Sequence, residues 1–162
     1  MLIILDDVFN APTAQAITDD YIIHKKSTDI IWCDTSYHDI SKSTAPVSVL
    51  LNLAFKNFNI SHMIGFEYWA HYNSGANWHF DKDEVELQTT GQLHLPLCGI
   101  VYYPLIENLD GGCFVTHHER IKPKTNRAII FSSNLEHMVE PFTGTRLSVS
   151  INPWNRKPKA HI

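Results

Sequence analysis

His79 and Asp81, within Asn77-Trp78-His79-Phe80-Asp81, set an imidazole and a carboxylate two positions apart. On an extended segment alternate side chains leave on the same side, so both can reach one ion. Two ligands hold a labile metal poorly. A third imidazole from a distant strand completes a facial set of two histidines and one carboxylate, with positions left open for substrate and O2, and this donor mixture suits Fe(II). His137 is the residue expected to supply it. Ten histidines in 162 residues offer competitors. His117 and His118 are adjacent, so on a strand they face opposite ways and cannot share an ion without a bulge. His62, His71 and His94 rank with His117 and His118 as weaker ligand candidates. Cys33, Cys98 and Cys113 show no Cys-x-x-Cys spacing of the kind that holds zinc.

A second chemical signal lies in the run Thr145–Asn152. Leu147, Val149 and Ile151 alternate with Arg146, Ser148, Ser150 and Asn152, so one face of a strand is apolar and the other wholly polar. On an outer surface that pattern is ordinary. Lining the inside of a small barrel, it makes a polar cavity in which an arginine needs an anionic partner. A planar guanidinium grips a carboxylate through two parallel hydrogen bonds, which a lysine cannot do. The residues alone leave both readings open.

The elements that must position these groups divide along the chain. Asn10 can cap a short helix with Pro12 in its first turn, and a second helix starts after Thr44 with Pro46 in its opening turn. Val49, Leu50, Leu53, Ala54 and Phe58 continue the second at helical spacing. From residue 62 the pattern becomes β-like: His62–Asn73, Gln92–Pro104, Gly112–Thr116, Arg127–Ser132 and Thr145–Asn152. Turn formers at Asn73-Ser74-Gly75, Asn108-Leu109-Asp110-Gly111-Gly112 and Phe142-Thr143-Gly144 separate these runs. The expected fold is α+β, mainly β, one domain over 1–162, with helical support to about residue 60 and a sandwich or barrel over about 61–154. Asp83, Glu84 and Glu86 fall in an expected mobile, solvated loop, and the basic tail Asn155–Lys159 in a frayed end.

A lone His-x-Asp occurs often by chance. The order His79-x-Asp81, Tyr103, Gly111-Gly112, His137, Arg146-x-Ser148 does not. In this order the chain, over roughly Tyr68 to Trp154, resembles the 2-oxoglutarate- and Fe(II)-dependent dioxygenases, and among them the compact prolyl-hydroxylase type. The resemblance implies a double-stranded β-helix of the jelly-roll or cupin kind. It implies iron on His79, Asp81 and His137, and 2-oxoglutarate and O2 as co-substrates. It further implies that Arg146, nine residues past the last histidine, binds the distal carboxylate of 2-oxoglutarate, with Tyr103 opposite and Ser148 adding a hydrogen bond. Tyr72, Asn77 and Trp78 lie about the loop before the metal pair, where relatives place groups that touch co-substrate or substrate. Tyr72 is accordingly expected at the co-substrate, and Asn77 and Trp78 at the substrate. The glycine pair is expected to serve turn geometry alone. The implied reaction is hydroxylation of a C–H bond, with a prolyl side chain of a peptide or protein as the favoured substrate.

The bulk numbers bound the alternatives. With 44% apolar and 19% charged residues the chain suits a globular protein rather than a disordered or membrane-embedded one. A net charge of -4 gives no electrostatic reason to expect nucleic acid as a partner. Three cysteines, and an apolar start Leu2–Leu5 too short and without the basic flank of a secretory signal, point to an intracellular, cytoplasmic setting. Two rival functions share the ligand set. One is a non-catalytic jelly-roll module with a structural ion. The other is a cupin-type metalloenzyme that needs no 2-oxoglutarate.

Overall fold

The computed structural model describes residues 1–23 and 29–162. In chain order its elements are β1 (Leu2–Leu5), α1 (Ala11–Ile23), β2 (Ile31–Asp34), α2 (Tyr37–Ser41), α3 (Pro46–Phe55), β3 (Gly65–Tyr72) and β4 (Ala76–His79). Then follow α4 (Glu84–Thr90), β5 (Gly99–Gly111), β6 (Phe114–Thr116), β7 (Arg120–Ile121), β8 (Arg127–Phe131), β9 (His137–Val139), β10 (Phe142–Trp154) and a 3-10 turn at Lys159–His161. Six strands form a major antiparallel sheet in the order β1-β8-β5-β10-β3-β2, and four form a minor sheet in the order β4-β9-β6-β7. The two face each other as the double-stranded β-helix implied by the sequence resemblance.

Period-two alternation builds two cores from the same strands. Ile100 and Tyr102 of β5, Ala128 and Ile130 of β8, and Val149 and Ile151 of β10 face the helices, where they meet Ile17 of α1 and Leu50, Leu51 and Ala54 of α3. The intervening Val101, Tyr103, Ile129 and Phe131 face the minor sheet and meet Phe114 and Ile121. Both faces of the major sheet's central strands are therefore buried, and the polar side of β10 lies inside the molecule. That settles the two readings of the last strand in favour of a lined cavity.

Several boundaries differ from the sequence expectation, each for a local reason. The first helix is longer than expected: Asn10 caps it by accepting from Thr13 N at 2.9 Å, and it runs to Ile23. The N-terminal third is not only helical support. β1 closes one edge of the major sheet on β8, and β2 closes the other on β3. Such four-residue strands are too short to show a clear period. Leu93-x-Leu95-x-Leu97 is not a strand; Asp83 instead caps α4 by accepting from Glu86 N, and Gly91 ends the helix at φ 74°. The expected solvated loop is thus a helix start, with Asp83 and Glu86 buried. The tail is anchored as well: Arg156 pairs with Asp83 at 2.7 Å, and His161 pairs with Glu67 at 2.8 Å. Among the described residues no helix is long and apolar enough to cross a membrane.

The turn formers at 108–110 and 142–144 lie within strands and bend them, whereas β5 ends at Gly111 as expected of a break. Asn108 and Gly111 of β5 adopt φ 48° and 83°, and Gly144 of β10 adopts φ 98° at a register shift between Thr143 and Thr145. A Cβ on Gly144 would stand 2.2 Å from the Asn108 carbonyl oxygen, so this bulge admits only glycine. Gly144→Ala combines that clash with a disfavoured backbone region. It is expected to lower unfolding free energy by about 1–3 kcal/mol, read from the urea midpoint at unchanged slope.

Candidate active site

Three ligand-type atoms from His79, Asp81 and His137 lie within 4.8 Å of one another. β4 delivers His79 and β9 delivers His137, and the two residues are direct partners across the β4–β9 ladder. Their rings sit with centroids 4.3 Å apart. Asp81 follows on the extended link after β4, and its Oδ1 lies 3.7 Å from His79 Nε2.

Each imidazole is oriented from behind. The Asn77 carbonyl lies 2.6 Å from His79 Nδ1, and the Leu135 carbonyl 3.0 Å from His137 Nδ1. A carbonyl only accepts, so both Nδ1 atoms carry the proton and both Nε2 lone pairs point forward. His137 is stacked on Phe114 at 4.8 Å and edged by Phe131 at 4.8 Å. Burial pushes its pKa down, against the opposing pull of Asp81, which favours the neutral form a metal requires.

The same cleft is lined by Arg146, Ser148 and Ser150 of β10, Trp69 and His71 of β3, and Val101 of β5. Arg146 is 2% exposed. Its Nε donates to the Gly112 carbonyl at 3.2 Å and a terminal nitrogen donates to Ser148 Oγ at 2.9 Å. Tyr103 and Phe142 flank the guanidinium at 5.2 and 5.9 Å. Among the described residues no carboxylate reaches it. Beside it the Tyr103 hydroxyl is buried and has no hydrogen-bond partner. Burial raises the Tyr103 pKa, with Arg146 opposing, so the phenol stays a proton donor. An unpaired buried cation next to an idle donor is the complement of a bound carboxylate.

The chain belongs to the 2OG-Fe(II) oxygenase superfamily. The family's model, described in those words, matches residues 67–154. The protein is therefore a 2-oxoglutarate-dependent dioxygenase that uses Fe(II), 2-oxoglutarate and O2. A search of curated proteins finds no match. Among solved structures, a prolyl-4-hydroxylase from Pseudomonas putida matches at TM-score 0.67 and 16% identity, covering 96% of this chain and 88% of that one. A 2OG-Fe(II) oxygenase family oxidoreductase from Burkholderia pseudomallei matches at TM-score 0.61 and 15% identity, covering 97% and 85%. The viral collagen prolyl hydroxylase of Paramecium Bursaria Chlorella virus-1, in its 2OG complex, matches at 0.58 and 15%, covering 96% of each chain. These likenesses extend the shared fold over nearly the whole oxygenase.

Tyr72, Trp78 and Asn77 are not among the residues that line this cleft. Tyr72 lines a groove with Ala11, Ala14 and Thr18 of α1, not the cleft. Trp78 is 42% exposed and stacks on His117 at 4.6 Å, because a neighbour of His79 on a strand faces outward. The Asn77 side chain is exposed too, and its backbone carbonyl orients His79. Other residues entered unannounced. Gly112, expected only to turn the chain, adopts φ 70° and gives its carbonyl to Arg146. Trp69 Nε1 donates to His71 Nε2 at 2.5 Å, and His71 Nδ1 lies 3.1 Å from Ser74 Oγ. Registry could have found these, since Trp69 and His71 pair across the ladder with Ser150 and Ser148.

Tyr103→Phe removes a buried hydroxyl that the protein itself does not satisfy. Without co-substrate, its unfolding free energy is expected to stay within about 1 kcal/mol of the parent or rise, as measured by urea titration.

Proposed function

We propose that this oxygenase hydroxylates a C–H bond of a prolyl side chain in a peptide or protein. Fe(II) is held by His79, Asp81 and His137, and 2-oxoglutarate is anchored by Arg146, Tyr103 and Ser148. The observation that carries the reading is the buried Arg146, which lines the cleft of the triad without a carboxylate, beside the idle Tyr103 hydroxyl.

The donor set fits the metal, and the Arg146–Tyr103 pair fits a dicarboxylate. With Fe(II) bound, the chemistry supplied is O2 activation coupled to oxidative decarboxylation of 2-oxoglutarate. The sum balances as R–H plus O2 plus 2-oxoglutarate giving R–OH, succinate and CO2. The protein's own groups do the positioning. The Asn77 and Leu135 carbonyls hold the Nε2 atoms of His79 and His137 forward. Arg146 keeps further N–H groups for the distal carboxylate, and Ser148, fixed by one of them, borders the same pocket. Tyr103, kept protonated by burial, donates to that carboxylate. Phe114 and Val101 line the cleft and exclude water from the reacting atoms.

A peptide substrate is supported by the solved relatives. The Pseudomonas and chlorovirus proteins are described as prolyl hydroxylases, and one from Trichoplax adhaerens is in complex with a hypoxia inducible factor oxygen degradation domain peptide fragment.

The test is succinate release with Fe(II), 2-oxoglutarate and a panel of proline-containing peptides, against free amino acids and nucleobases. Peptide-dependent succinate above the uncoupled background, with a hydroxyl gained on proline by mass spectrometry, is the expected result; release stimulated only by a non-peptide overturns the substrate reading. Arg146→Ala is expected to raise the KM for 2-oxoglutarate about ten- to hundredfold, the size of a lost charge-assisted pair, with Arg146→Lys intermediate. Asp81→Ala is expected to abolish turnover and anaerobic Fe(II) binding together. An Arg146→Ala protein with the parent KM contradicts the co-substrate site.

A further inference from the structure

Asp81 sits at the middle of a short link, Phe80 to Asp83, between the last residue of β4 and the first of α4. Its carboxylate stands 3.7 Å from the His79 ring and within 4.8 Å of the His137 ligand atom, and among the described residues no hydrogen bond to the side chain fixes it. Its direction is set by the two ends of the link. One end is His79, held in the β4–β9 ladder. The other is Asp83, whose side chain is 1% exposed.

Asp83 is gripped from a distant part of the chain. Its Oδ1 accepts from Glu86 N at 3.0 Å, closing the first turn of α4. Its Oδ2 accepts from Arg156 at 2.7 Å and from the backbone N–H of Lys159 at 2.9 Å. Arg156 also reaches Glu86 at 3.4 Å, as does Lys159 Nζ. The backbone N–H of Asp83 donates to the His94 carbonyl at 3.0 Å. Two buried carboxylates at the start of a helix directly behind a metal-type aspartate are thus neutralised by residues 156–159, which follow the last strand.

We propose that this C-terminal segment is the outer anchor of the metal site. The Lys159 N–H and the Arg156 guanidinium hold Asp83, and through it they position Asp81 for the ion. They are positioning groups and touch neither metal nor substrate. The inference rests on His79, Asp81 and His137 being the ligand set. Outer contacts of this kind set how well a first ligand is preorganised, and their loss weakens metal binding about ten- to hundredfold.

The backbone offers a clean test. Pro158, ahead of the 3-10 turn, has φ -61° and ψ 147°, a conformation that accepts a following proline. Lys159→Pro therefore fits the chain while deleting the N–H that binds Asp83. Lys159→Ala removes the same side chain and keeps that N–H. The full-length variants are titrated anaerobically with Co(II) alone, following the visible absorption of the bound ion, with no turnover required. Lys159→Pro is expected to bind about tenfold more weakly than Lys159→Ala and to show an altered Co(II) spectrum. Equal affinity and spectrum in the two folded variants overturn the inference. A purely structural clamp would lower the melting temperature and leave both readings unmoved. Should Lys159→Pro not fold, Arg156→Gln is read in the same way against Arg156→Lys, which retains the charge. A parent protein that binds no Co(II), or binds it equally well with Asp81→Ala, overturns the metal assignment, and this inference with it.

Discussion

A guanidinium taken out of water needs oriented acceptors or a counter-charge, and the interior of this protein is arranged around that requirement at Arg146. The Gly112 carbonyl and Ser148 satisfy part of it, and two aromatic rings flank it. Asn73, in the left-handed region at φ 51°, clips the same residue from the β3 side: its Oδ1 accepts from Arg146 N and its N donates to Arg146 O. The bulge at Gly144 and the bend at Gly111-Gly112 are the backbone conditions for this arrangement. Around the remaining, unmatched part of the charge lie the Tyr103 hydroxyl and the paired imidazoles of β4 and β9.

The sequence carried the chemistry further than the architecture. His79, Asp81 and His137 stand together, Arg146 and Ser148 line the same cleft, and Tyr103 flanks Arg146, because strand alternation is strict and the spacing of ligand types survives folding. Tyr72 and Trp78, assigned to the site by resemblance alone, are not among the residues that line the cleft. An aromatic next to a ligand in sequence is on the opposite face in space. What the sequence did not disclose is mostly long-range: β1 and β2 as sheet edges, and α4 with the tail locked onto it. The Asp83–Arg156 pair spans 73 positions of sequence, and no local pattern announces it. Acidic residues after a metal motif look solvated until their distant cations are known.

The two cores divide the work of the major sheet. On the helix side, Ile100, Ala128, Ile130 and Val149 are ordinary close-packed apolar groups that fix the plane of the sheet. On the cleft side, the neighbouring positions on the same strands carry Val101, Tyr103, Ser148 and Ser150. A shift in the plane of the sheet is transmitted to the cleft within a single residue, so the helical layer sets the precision of the site without touching it.

On the proposed co-substrate assignment, the idle Tyr103 hydroxyl would link folding to metabolism. If the group that satisfies it and Arg146 is a dicarboxylate drawn from the surroundings, the native state alone binds that molecule. The population of folded chains then rises with its concentration by mass action, by about 2.7 kcal/mol when the ligand is a hundredfold above its dissociation constant. Abundance of the protein, and not only its rate of turnover, then follows the supply of co-substrate.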